Sequence, residues 1–287
     1  MVSKMKGINT APIKVDNRFA LMTFKFKTND EQTEIIYMKP DTLVDFLVLL
    51  RSRMLNVIQR LGERGEIYKA QLQAVSESLL LHVPEVILTE VQQPDIGRIV
   101  TSLAPKIKDE QFTLITILQN EHIISLKIDD SQVEFIILAI QQALTVVEDK
   151  EMQQFINSLL DFLLIYSVDL SNMDNLQYRH IDHEKWKQKL FSNYLEVLYC
   201  FDTEQGKRIL AGTIIKVNSL PDTKETENII TRLTTVVPAL KAVMEQYTLC
   251  QTFCRILLAQ QEQELTLDEC LRPLYTFCLE TQATLNS

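Results

Sequence analysis

Two imidazoles and two carboxylates fall within the run His180-Ile181-Asp182-His183-Glu184. Imidazole nitrogen and carboxylate oxygen are donors that zinc and harder divalent ions accept, so His180, Asp182 and His183 are the residues that would carry a metal here. The same loop is where an enzyme site would be assembled. Either use requires both histidines to point the same way and further ligands to arrive from elsewhere. The run lies just before a helical pattern that starts near Trp186, so the plainer reading is a polar loop and helix cap, with no metal and no cofactor. His82 and His122 read as isolated turn or helix-end residues.

Five cysteines, Cys200, Cys250, Cys254, Cys270 and Cys278, all lie in the second half of the chain. Read on helices, Cys250 and Cys254 share a face and Cys270 and Cys278 lie two turns apart, so packed helices would bring four thiolates together. No Cys-x-x-Cys pair supports such a site. Free cysteine is a common core residue, and a cytosolic chain seldom keeps structural disulfides, which makes buried, reduced thiols the expectation.

A third group is cationic. Lys4, Lys6, Lys14, Arg18, Lys25 and Lys27 precede the first acidic cluster, with only Asp16 among them. On an extended strand Leu21, Thr23, Lys25 and Lys27 share one face, while Ala20, Met22, Phe24 and Phe26 share the other. One reading is a solvated face over an aromatic core; the other is a basic platform on Lys25 and Lys27 for a nucleic-acid strand or an acidic partner. The whole chain argues against nucleic acid as the default partner, because 29 basic residues stand against 38 acidic ones, a net charge of −9. Only six glycines are present, and none forms a dinucleotide fingerprint, a phosphate-cradling loop or a nucleophile elbow.

The elements that must position these residues begin with the run 112–147. It reads as strand, tight turn, strand and helix, with Asp130 or Ser131 as cap, Glu134 in the first turn, and Val133, Ile136, Ile137, Ile140 and Leu144 at helical spacing. The same unit occurs earlier: strands over 19–27 and 33–38, then a helix opened by Pro40. Matching the Ile-Ile words of the two copies, with one residue inserted after Lys127, puts Val44-Asp45-Phe46 on Val133-Glu134-Phe135. Gly62 and Gly65 interrupt the Pro40 stripe, giving one long kinked helix or an antiparallel pair. The segment 99–107 is a candidate extra strand, at an edge because of Pro105.

After Asp149 the pattern turns helical: an almost wholly apolar helix through Phe155, Ile156, Leu159, Leu160, Leu163 and Leu164, one from Trp186 to Leu198, one capped by Thr203, and one from Pro238 along Leu240, Tyr247, Cys250, Cys254 and Leu257. Asp222 with Glu225, and Thr266 with Glu269, read as capping boxes. The expected fold is therefore α+β: residues 1–149 as duplicated strand-strand-helix units forming an antiparallel sheet covered by helices, and residues 150–287 as an all-α helical bundle. No apolar run reaches the roughly 18 to 20 residues that span a bilayer. The start, Met-Val-Ser-Lys-Met-Lys-Gly, lacks the apolar core of a signal peptide, so the expectation is cytoplasmic with no membrane partner.

The segment Val-Glu-Phe-Ile-Ile-Leu-Ala-Ile-Gln-Gln-Ala-Leu and the later Leu-Leu-Asp-Phe-Leu-Leu-Ile-Tyr, with the chain length, resemble the uncharacterised enterobacterial YjeJ-like family. That resemblance implies a bacterial accessory protein, in a stress or phage-defence setting, and transfers no site. The functional expectation is a non-enzymatic, oligomeric protein-interaction or regulatory module. The alternatives are a nucleic-acid binder using the basic hairpin and an enzyme at the His180–His183 loop. Self-association is expected because split hairpins leave strand edges open.

Overall fold

The computed structural model describes residues 2–172, 176–259 and 264–285, and the side chains of Phe155 and Asn157 lie outside what is described. The chain divides into two compact units, Met1–Leu160 and Asp161–Ser287.

In the first unit β1 (Ser3–Val15), β2 (Arg18–Thr28) and β3 (Thr33–Met38) precede α1 (Pro40–Leu80) and the short α2 (Leu88–Gln92). Then come β4 (Val100–Lys108), β5 (Gln111–Leu118), β6 (Ile123–Asp129), α3 (Val133–Thr145) and α4 (Lys150–Ser158). One six-stranded sheet results, ordered β3-β2-β1-β6-β5-β4. The sheet is mixed rather than antiparallel, because β1 joins β6 in parallel through Ser3↔Leu126 and Lys4↔Lys127.

The repeated unit is three strands and a helix, not two strands and a helix, and its register is set by a turn. Leu118 donates to the His122 carbonyl and Glu121 to that of Leu118, as Thr28 donates to Gln32 and Glu31 to Thr28, each at 2.9 Å. Glu31 (φ 62°) and Glu121 (φ 65°) take the same left-handed conformation. Counting from these turns, Phe24 falls on Leu114, Met38 on Ile128, Leu43 on Val133, Phe46 on Ile136 and Leu50 on Ile140, and every one of these side chains is at most 1% exposed. The Val44-on-Val133 match is thus one residue out. Similar Ile-Ile words attract that alignment, whereas burial obeys the turn.

Gly65 (φ 60°, ψ −140°) breaks α1. Val57, Tyr68 and Leu72 pack in one cluster with Met54 and Leu61. On a straight helix Val57 and Leu72 would stand about 22 Å apart, so the two arms fold back as an antiparallel pair. The end of the return arm lies on β1, where a Cβ added to Gly7 would meet the His82 carbonyl oxygen at 2.0 Å.

The second unit overturns the all-α expectation. It contains β7 (Phe162–Asp169), β8 (Gln177–His180), α5 (Lys185–Gln188), β9 (Asn193–Thr203), β10 (Gly206–Val217), α6 (Lys224–Val236), α7 (Pro238–Met244), β11 (Thr248–Leu257) and α8 (Leu267–Leu285). The strands form an antiparallel sheet ordered β11-β9-β10-β7-β8. Leu163 and Leu164 lie on β7, Tyr194 to Leu198 on β9, Thr203 at the β9–β10 turn, and Cys250, Cys254 and Leu257 on β11. The physical reason is burial on both faces. From Tyr194 to Phe201 and from Ile209 to Val217 every residue is buried, so these central strands show none of the alternation that marks a half-exposed strand. The helices are interspersed with the strands, and α8 runs unsplit through Pro273.

Candidate functional site

The structure separates the residues of the histidine loop. His180 ends β8, opposite Tyr166, with its ring stacked 4.8 Å from the tyrosine ring. His183 turns inward, and its ring N–H donates to the Leu164 carbonyl at 2.8 Å. Burial holds the His183 pKa below the ordinary imidazole value, with that hydrogen bond opposing the shift. Asp182 is exposed. Among the described residues no three His, Cys, Asp or Glu side chains are placed to hold a metal ion.

Lys25 and Lys27 of the first hairpin already have carboxylate partners. Lys25 Nζ lies 2.6 Å from Glu90 Oε1 and Lys27 Nζ 2.8 Å from Glu31 Oε2. The bonds from Lys27 and then Lys6 hold the Glu31 carboxyl at about 2. The small apolar cluster of Ile13, Tyr37 and Ile99 takes in Leu21 from the same strand face, so part of that face is covered rather than open.

The cysteines do not converge as a set of four. Cys270 and Cys278 are buried on α8, and burial pushes their thiols up to about 12 and about 11. Burial likewise takes Cys254 to about 12. Cys200 and Cys250 do meet, with their sulfurs 3.5 Å apart across β9 and β11. Sequence reasoning missed that pair because it read Cys250 on a helix and left Cys200 between two helices, whereas the two residues lie on neighbouring strands.

The feature that most resembles a working surface is the outer edge of β11. Among the described residues the two sheets have four strand edges, and three are guarded. Beside β3, Tyr37 bridges to Ile99, and Arg98 Nη1 donates to the Ile35 carbonyl at 2.8 Å. In β4, Pro105 lacks an amide proton, and Lys106 and Lys108 extend the defence. β8 has only four residues, one of them Arg179. β11 has ten residues, Thr-Leu-Cys-Gln-Thr-Phe-Cys-Arg-Ile-Leu, with no proline, glycine or lysine. Its one charge is turned to the sheet face: the Arg255 guanidinium pairs with the buried Glu196 of β9, donates to the Pro273 carbonyl at 2.8 Å and lies 4.2 Å from the Phe277 ring centroid. A register shift at Cys250 bends only one end, leaving Gln251–Leu257 regular. Among the described residues nothing hydrogen-bonds to the backbone of β11 on the side away from β9. The available sequence signal was the Thr, Phe and Ile content of 248–257, which favours a pleated strand over a helix.

Comparison with known proteins follows the same chain almost end to end. The profile of the YjeJ-like family matches residues 1–284. A protein of Escherichia coli (strain K12) named "Uncharacterized protein YjeJ" is 32% identical over 277 residues, covering 96% of this chain and 95% of its own. No solved structure matches the chain.

Proposed function

We propose that this chain, which belongs to the YjeJ-like family, is a non-enzymatic protein-interaction module that works by strand addition at β11, with a second copy of itself as first partner. The observation that carries this reading is the contrast between the unguarded edge of β11 and the three guarded edges. An open edge presents amides and carbonyls that another strand satisfies, each such hydrogen bond contributing roughly 0.5–1.5 kcal/mol net. Identical edges pair most simply about a two-fold axis. Antiparallel pairing centred on Phe253 would set Gln251 against Arg255 and Thr252 against Cys254, with no like charges opposed. A cytoplasmic setting goes with the proposal, supported by five cysteines free of disulfides. No described helix is long and apolar enough to cross a membrane.

Gln251 and Thr252 are both exposed, so replacing them together with lysine guards the edge without disturbing the core. Light scattering across a dilution series should give a dimer mass for the full chain at tens of micromolar and a monomer mass for the double lysine variant, with unchanged circular dichroism. A full chain that stays monomeric over that range, or a double variant that still dimerises, overturns the assignment.

A further inference from the structure

Cys250 is the extra residue of a β-bulge. Leu249 pairs with Phe201 and Gln251 with Cys200, so Cys250 has no residue of its own across from it. Its sulfur turns back over β9 and sits 3.3 Å from the Cys200 carbonyl oxygen and 3.5 Å from the Cys200 sulfur. A disulfide requires about 2.05 Å between sulfurs. The sulfurs are thus about 1.5 Å beyond bonding distance, at a bulged position on an edge strand whose backbone is held by a ladder on one side only. No other pair of described cysteines comes within hydrogen-bond reach. The two thiols also differ in access: Cys200 is fully buried and Cys250 only partly so.

We propose that Cys200 and Cys250 form a redox-active pair that closes to an intrachain, cross-strand disulfide when a hydroperoxide oxidises Cys250. The Cys250 sulfur, having given up its proton to water, attacks the terminal peroxide oxygen. The O–O bond breaks, leaving a sulfenic acid on Cys250 and releasing water from hydrogen peroxide or an alcohol from an organic hydroperoxide. The Cys200 sulfur then displaces the hydroxyl from the Cys250 sulfur; the S–S bond forms, the S–O bond breaks, and the hydroxyl leaves as water with the Cys200 proton. Two thiols are oxidised by two electrons in all, and one peroxide is reduced. The order fits the site, since Cys250 is the more accessible sulfur and burial raises the Cys200 thiol above the ordinary cysteine value, which disfavours Cys200 as the first thiolate. The assignment goes beyond strand addition at β11 and holds whether or not that edge pairs.

Reduced full-length protein, freed of reductant and given one equivalent of hydrogen peroxide, should lose two hydrogens by intact mass while remaining a single chain. Tryptic peptides 190–207 and 242–255 should then be joined, with fragmentation placing the link on Cys250 rather than on Cys254, which shares the second peptide. In Cys200→Ser the same treatment should leave a sulfenic acid on Cys250 that dimedone traps, and Cys250→Ser should keep both hydrogens. A link through Cys254, Cys270 or Cys278 overturns the proposal. So does a stable sulfenic acid on Cys250 in the unsubstituted chain, or unreacted thiols after excess peroxide.

Discussion

Glu196 and Arg255 stand directly opposite each other on β9 and β11, and their ion pair ties the edge strand to the sheet through a fully buried carboxylate. Burial raises the Glu196 carboxyl above the ordinary carboxylate range, while Arg255 pulls it back down. Among the described residues the second oxygen of Glu196, Oε1, meets no hydrogen-bond donor, so the arginine is the main compensation there for a charge held out of water.

Arg255→Met should therefore destabilise the second unit by about 2–3 kcal/mol, toward the low end for breaking a buried pair because the arginine keeps some exposure. The double change Glu196→Leu with Arg255→Met should cost less than Arg255→Met alone. The pH dependence has a definite sign. A carboxyl whose folded pKa lies above its unfolded value contributes fully below the unfolded value and loses that contribution as pH rises through the folded one. Removing Arg255 raises the folded pKa further, so the deficit of the variant should grow with pH and be smallest in acid. Urea unfolding at a series of pH values measures it, and a deficit independent of pH would contradict this account.

Asp130 receives three charged hydrogen bonds: Arg53 Nε at 2.7 Å, Arg53 Nη2 at 2.6 Å and Arg60 Nη1 at 2.6 Å. Arg53 and Asp130 are both buried, and Arg53 also reaches the Asp109 carbonyl at 2.6 Å, so the cluster fastens α1 to the turns around β5 and β6. Asp130→Ala should cost about 3–5 kcal/mol by leaving the arginines unpaired. Arg64→Ala breaks the half-exposed pair with Glu110 and removes a guanidinium lying 5.4 Å from the Tyr68 ring centroid, and should cost about 1 kcal/mol. Equal losses for the two variants in denaturant unfolding would disprove the distinction.

Gly62 and Gly65 are three residues apart and should respond in opposite directions. Gly65 holds φ 60° and ψ −140°, so Gly65→Ala should destabilise by about 1–3 kcal/mol. Gly62 keeps helical geometry, and a Cβ there meets nothing within 4 Å, so Gly62→Ala should stabilise by about 0.4–1 kcal/mol. Thermal unfolding of both variants checks the pair.

His183 gives the second unit a different pH dependence. Its folded pKa lies below the ordinary value, so the folded state favours the neutral ring. The contribution is present above the unfolded value of about 6.5 and lost as pH falls from there through the folded pKa. Replacing His183 with Gln, which keeps a donor for the Leu164 carbonyl, should flatten the stability curve in that window. An unchanged curve between pH 5 and pH 7.5 would count against it.

Local sequence determined several of the half-exposed elements, though not β1 or β11. The alternation and turn residues of 112–147 correspond to β5, β6 and α3. The Thr266 and Glu269 capping box is present in full, with the Thr266 amide donating to Glu269 at 2.8 Å and the Glu269 amide to Thr266 Oγ1 at 3.4 Å. For α6, however, the cap is Thr223, whose hydroxyl accepts from the Thr226 amide at 3.3 Å, and not Asp222. Amphipathic patterning records only contrast between a wet face and a dry one. β9 and β10 are dry on both faces, so their strand character left no periodic trace. The parallel joint of β1 with β6, the openness of β11 and the meeting of Cys200 with Cys250 are relations between distant residues. Only strand order and register decide them, because no local preference specifies which strand becomes an edge or which two sulfurs share a bulge.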